Sequence, residues 1–195
     1  MLHQGFWEGF ARMTDSLNPY HRLSPRADES RLVNVIIDTP RGSANKYKYD
    51  EQLGVFKVSR VLPAGMHFPH DFGSVPGTCA EDGDPLDVLV LLDAPTFAGC
   101  LVTARLIGGL HVEQFEKRRK VRNDRLIAMP QTAVNKPDIH SLQQLGRSRL
   151  REIEEFFVSY NRVQGRTLRI VARFNARRAH ALLNAAIKAH RRTAM

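Results

Sequence analysis

The stretch Glu81-Asp82-Gly83-Asp84-Pro85-Leu86-Asp87-Val88-Leu89-Val90-Leu91-Leu92 decides how the rest of the chain is read. Three aspartates fall within the six residues 82–87. Gly83 gives the turn backbone freedom, and Pro85 fixes φ and removes a hydrogen-bond donor. Such a segment cannot pair as a strand, so its acids are left pointing outward. Asp87 then opens an apolar run that suits a buried strand. Acids on a turn, mounted on a strand anchored in the core, suit a hard cation that takes oxygen ligands. A twelve-residue calcium loop does not fit. Counted from Asp82, position five is Leu86, position six is Asp87 rather than glycine, and position twelve is Asp93.

Working outward, residues 32–37 form a β-rich run, and 46–50 with 55–61 read as a hairpin. In its second strand Arg60 alternates onto the face of Phe56 and Val58. It is either aimed into a cavity or turned to solvent at the strand end. Residues 66–77 read as a loop carrying His67 and His70 at the surface. Residues 87–92, 100–106 and 110–114 follow as strands, the last two separated by Gly108-Gly109. A basic loop spans 115–123, and 125–129 returns to a strand. Leu142, Leu145, Leu150, Ile153, Phe157 and Tyr160 recur near helical spacing, which predicts a helix over 141–160. Residues 167–174 alternate as a last strand, and Asn175 caps a final helix over 176–191. Short strands first and two main helices in the C-terminal part argue for an α+β fold, a small barrel with helices packed on it. Residues 1–30 read as an N-terminal arm, with Phe6, Trp7 and Phe10 on a short helix. Residues 31–195 read as a single domain.

Composition narrows the function classes. The chain has 195 residues, 43% hydrophobic and 25% charged, enough for one sizeable core. No apolar run approaches a membrane span, and residues 1–17 lack a secretory pattern. Cys79 and Cys100 make no disulfide framework. The expectation is a cytoplasmic protein with no membrane partner. Net charge is +9 around an acidic turn, a field that attracts an anionic substrate. The basic residues are spread along the chain without interleaved aromatics, which argues against sequence-specific nucleic-acid binding.

The run Asp82-Gly83-Asp84-Pro85-Leu86-Asp87-Val88-Leu89-Val90 resembles the signature of the soluble family I inorganic pyrophosphatases. The resemblance implies a closed, OB-like five-stranded β-barrel and a homo-oligomer. It implies hydrolysis of inorganic pyrophosphate to phosphate with Mg²⁺, or Mn²⁺ as the second choice. Such chemistry is mostly positioning and charge neutralisation. By the same resemblance Asp82, Asp84 and Asp87 bind metal, and Asp84 helps activate the attacking water. Lys46, Arg60 and Tyr160 are the catalytic residues that contact substrate, joined by Arg125, and Asp38 lies at the site's edge.

The departures from the family pattern are informative. Where the family reads Lys-Tyr-Glu, this chain reads Lys46-Tyr47-Lys48. Two loop tyrosines are replaced by Phe68 and Phe72. Two further metal-binding aspartates and a lysine correspond to Glu113 or Gln114, then Asn123 or Asp124, then Arg125. The lysine after the helix tyrosine is Asn161. Fewer acids mean weaker binding of a hard divalent ion, so reduced or altered activity is expected. The alternatives are a non-catalytic phosphate-binding relative, a hydrolase of another phosphoanhydride, and a nucleic-acid-binding barrel.

Overall fold

A computed structural model of the chain describes residues 18–27, 31–116, 119–132 and 139–193. The helix expected around Phe6, Trp7 and Phe10 lies outside them. A single helical turn, Pro19–Arg22, is followed by β1 (Arg26–Ala27), β2 (Leu32–Thr39), β3 (Asn45–Asp50), β4 (Val55–Val61), β5 (Asp71–Val75) and β6 (Leu86–Val90). Then come β7 (Leu101–Glu116), β8 (Arg119–Arg122) and β9 (Arg125–Pro130). A 3₁₀ turn, Leu142–Leu145, leads into α1 (Arg147–Val163), β10 (Thr167–Asn175) and α2 (Ala176–Thr193).

The strand order β2-β5-β6-β9-β7 closes on itself, because β2 also pairs with β7. That ring of five strands is the expected OB-like barrel. Its pairings are antiparallel except β6 with β9, which is parallel. The hairpin β3–β4 stands apart as a two-stranded sheet.

Strands β6 and β9 are buried nearly throughout. Val88 and Val90 join one apolar cluster with Val33, Val35, Ala104, Leu126 and Ala128, which α2 covers through Ala179, Leu183 and Ala186. Leu89 and Leu91 point the other way, into a cluster with Ile127 and Met129 that α1 covers through Leu150, Ile153, Phe157 and Tyr160. A two-residue period with both faces covered explains the near-continuous apolar run. Each such side chain, fully buried, contributes about 1.5–3 kcal/mol. This is the rigid base on which the acid turn stands.

Three expectations are corrected. Residues 66–77 are not all loop, since Asp71–Val75 is a fully buried barrel strand. Its apolar pattern is broken by Gly73, and glycine is required there: a Cβ would lie 2.1 Å from the Ile36 carbonyl oxygen. Asp71, also buried, is satisfied in part by the Thr96 hydroxyl at 2.8 Å and the Thr96 N–H at 3.1 Å. His67 is exposed as expected, but His70 beside this strand is buried. Second, Gly108-Gly109 does not end a strand. Gly108, at φ +148°, carries β7 through a bulge, and the 16-residue strand continues along β9 and gains β10 as a further partner. Third, the basic segment is a hairpin arm, with β8 paired antiparallel to β7.

The helices follow the reading more closely. The predicted helix over 141–160 is interrupted at Gly146 (φ +79°), after which α1 runs to Val163. Asn175 does cap α2, its Oδ1 accepting the Arg178 N–H at 3.0 Å.

Candidate active site

The acid turn is held from below by a small hydrogen-bond frame. The Thr78 hydroxyl donates to the Val75 carbonyl at 2.6 Å and accepts the Leu86 N–H at 3.0 Å. The Ala80 N–H reaches the Asp84 carbonyl at 2.8 Å, and the Asp84 N–H reaches Asp82 Oδ1 at 3.2 Å. The turn's acids thereby face a cavity of about 790 Å³. Its opposite rim is the hairpin, contributing Lys46, Lys48 and Arg60, and Arg125, Tyr160, Gln114 and Asn123 complete the lining. Asp82, Asp84, Asp87 and Asp38 all line it as well.

Arg60 therefore takes the cavity alternative rather than the solvent one, and its Nη1 donates to Gln164 Oε1. Lys46 Nζ sits 5.5 Å from the Phe72 ring centroid and 5.9 Å from that of Tyr160. The Arg125 guanidinium lies 5.8 Å from both Phe72 and Phe157. Phe72, Phe157, Phe156 and Tyr160 form a continuous aromatic wall under these cations, with centroids 5.5–6.1 Å apart. Cations over ring faces are favoured by the ring quadrupole. Tyr160 is buried, and its hydroxyl has no hydrogen-bond partner among the described residues. A buried hydroxyl left open at a cavity wall is a ready donor to an incoming oxyanion.

Two of the three signature acids already carry a cation. Lys48 Nζ donates to Asp84 Oδ1 at 2.9 Å and to Oδ2 at 3.1 Å. Arg125 Nη1 pairs with Asp87 Oδ2 and also donates to Asn123 Oδ1. Burial works against the Lys48 charge, but its hydrogen bond to Asp84 and the charges of Asp84, Asp87 and Asp82 raise its pKa above the ordinary lysine value. Desolvation raises the Asp82 carboxyl; the Asp84 N–H opposes this, while the charges of Asp87 and Asp84 add to it.

Along β7 and just before β9, one residue of each open pair lines the cavity and the other does not. Gln114 pairs with Val121, and both line the cavity. Glu113, expected at the site's edge, faces away and holds Lys120 at 2.6 Å. Asn123 lines the cavity, whereas Asp124 is buried behind it, accepting two hydrogen bonds from Arg122 at 3.0 and 2.6 Å and the Val112 N–H at 3.2 Å. At both places the side chain that lines the cavity is an amide, and the neighbouring acid is turned away from it.

Sequence reasoning missed Tyr20. It comes from the single helical turn, and its hydroxyl donates to Asp38 Oδ1 at 2.5 Å. Ser74 donates to Asp38 Oδ2 at 3.1 Å. Burial pushes the Asp38 carboxyl up to about 7; the Tyr20 hydroxyl bond opposes the rise, and the charge of Asp87 adds to it. The same burial raises the Tyr20 hydroxyl far above its usual range. No local sequence signal joins Tyr20 to Asp38, because only the folded barrel makes them neighbours.

Would a divalent ion suit this set? Three carboxylates on one turn are the hard oxygen donors it requires. Among the described residues no three acid, His or Cys side chains close into a preformed cage. Mg²⁺ does not need one, because it keeps waters and takes one or two carboxylates together with substrate phosphates. The residues fit an ion that is completed by its substrate.

A family model described as inorganic pyrophosphatase matches residues 35–191. The chain belongs to the inorganic pyrophosphatase family. An inorganic pyrophosphatase of Nostoc sp. is 35% identical over 167 residues, covering 86% of this chain and 96% of the relative. That of Halalkalibacterium halodurans is 38% identical over 159 residues, covering 81% and 94%. The crystal structure of the Thermus thermophilus inorganic pyrophosphatase superposes with a TM-score of 0.81 at 30% identity, covering 89% of this pyrophosphatase-family chain and 99% of that one.

Proposed function

We propose that the chain hydrolyses inorganic pyrophosphate to two phosphates in the cavity between the acid turn and the β3–β4 hairpin. The observation that carries this reading is the meeting of opposite charges across one space: Asp82, Asp84 and Asp87 on one rim, Lys46, Arg60 and Arg125 on the others. A diphosphate needs its oxyanion charge cancelled on several sides at once. Lys46 and Arg60 neutralise the phosphate oxygens from the hairpin side, and Arg125 does so from the barrel floor. The Tyr160 hydroxyl donates to an oxygen of the departing phosphate. Phe72 and Tyr160 wall the cavity beside Lys46 and Arg125, and their low-polarity rings strengthen the charges held against them. Bound at Asp82, Asp84 and Asp87, Mg²⁺, or Mn²⁺ in second place, would neutralise phosphate charge and lower the pKa of the attacking water. Asp84 accepts the proton of that water at a carboxylate oxygen.

The reading extends to a cytoplasmic homo-oligomer. Val163 (52% exposed) and Val171 (48%) are large apolar side chains consistent with self-association, which light scattering would measure. Among the described residues no helix is long and apolar enough to cross a membrane.

Steady-state phosphate release from pyrophosphate across Mg²⁺ and Mn²⁺ concentrations tests the activity. Asp84→Asn is expected to lower kcat by at least about 10²-fold, as for loss of one well-placed charge group. Release that is absent for the wild type with both ions, or undiminished by Asp84→Asn, would remove the reading.

A further inference from the structure

Lys48 stands where an acid would be expected to strengthen an ion site, and it does the opposite. From β3 its ammonium nitrogen reaches across the cavity to both carboxylate oxygens of Asp84, at 2.9 and 3.1 Å. Near-equal distances put it close to the plane bisecting the carboxylate, where an ion shared by both oxygens would sit. An ammonium and a divalent ion cannot both take that position. Arg125 Nη1 pairs with one oxygen of Asp87, Oδ2, so two of the three signature acids carry a cation before any ion arrives.

We infer that Lys48 is a tethered competitor for the divalent cation at Asp84. In the substrate-free protein its ammonium occupies the carboxylate, and a metal ion binds there by displacing it. The pair is built to yield: both side chains are 57% exposed, so each returns to water when parted. Arg125 and Asp87 are far more enclosed, at 8% and 20%, so that pair persists when the ion binds. The consequence is a site with weak metal affinity on its own, in which Lys48 sets the divalent-ion demand. The inference rests on the reading of Asp82, Asp84 and Asp87 as the ion-holding edge.

The test is a titration of the full chain with Mn²⁺ and no substrate, following free Mn²⁺ by electron paramagnetic resonance. An ion that must displace an exposed ion pair loses roughly three- to five-fold in affinity, the upper strength of such a pair. Lys48→Met is therefore expected to bind Mn²⁺ roughly three- to five-fold more tightly, Lys48→Glu more tightly still, and Lys48→Arg like the wild type. In an Asp84→Asn background Lys48→Met is expected to have little effect, because the two residues act on the same ion. Affinities of Lys48→Met and Lys48→Glu both within two-fold of the wild type would overturn the inference, as would an Asp84→Asn background that leaves the Lys48→Met effect whole. Absence of Mn²⁺ binding in every variant would overturn it too. Pyrophosphate turnover, measured separately, tells its failure from failure of the activity: Asp84-dependent turnover with Lys48-independent Mn²⁺ binding sinks the inference alone.

Discussion

Lys48–Asp84 and Arg125–Asp87 are the same chemistry at two depths. One joins two rims across open solvent, with both side chains 57% exposed. The other lies on the barrel floor against the aromatic wall, with Arg125 8% exposed and Asp87 20%. An exposed pair is worth about 0–1 kcal/mol, because water solvates the separated charges nearly as well. Breaking an enclosed pair by removing one partner costs about 3–5 kcal/mol, because the survivor is left charged and unpaired. The floor pair is therefore part of the structure that the site is built on, and the rim pair is an adjustable contact.

The comparison breaks first at Arg125. Arg125→Met leaves Asp87 without its cation and is expected to lower stability by about 3–5 kcal/mol, together with loss of phosphate release. Chemical denaturation with the denaturant slope checked for constancy measures this; a change below about 1 kcal/mol would put the pair in the same class as the rim. A middle case is Tyr20→Phe. It deletes one hydrogen bond to the Asp38 carboxyl and is expected to cost about 1.5–3 kcal/mol at pH above 7, where that carboxyl is charged. The smallest effect belongs to Lys48→Met, expected to change stability by less than about 1 kcal/mol. Equal losses at Lys48 and Arg125 would erase the distinction.

Asp38 sharpens the contrast through pH. Its folded-state pKa, about 7, lies well above the 3.8 of an ordinary aspartate. Between those values the folded state binds more protons than the unfolded state, so stability falls as pH rises from about 4 to about 7 and then levels. Asp38→Asn is expected to flatten that fall, as thermal melts of both proteins between pH 5 and pH 8 would show. A wild-type melting temperature that climbs across this range while the variant stays level would contradict the assignment.

The legible parts of the fold are those with a strong period. Residues 87–92 announced a buried strand because both faces are covered, and α1 and α2 were readable from their apolar spacing. Asp71–Val75 was not, since its glycine and polar residues serve a close backbone approach and a buried hydrogen bond rather than packing. In the site, Lys46, Arg60, Tyr160 and the three aspartates were placed by the resemblance to the family signature, and they meet at one cavity. Glu113 and Gln114 could not be told apart, because strand alternation reverses with one residue and the bulge in β7 is set by Gly108 in three dimensions. Tyr20 was invisible for a different reason: 18 residues separate it from Asp38. The contact exists only after the barrel has closed.

In the function proposed above, water activated at the acid turn splits a phosphoanhydride in this cavity. The most direct measurement is phosphorus NMR of pyrophosphate incubated with the protein and Mg²⁺ in isotope-labelled water. The pyrophosphate signal is expected to be replaced by phosphate alone, with one labelled oxygen entering per molecule cleaved, and Asp84→Asn is expected to slow the change by at least about 10²-fold. An unchanged pyrophosphate signal, or conversion at the wild-type rate by Asp84→Asn, would contradict it.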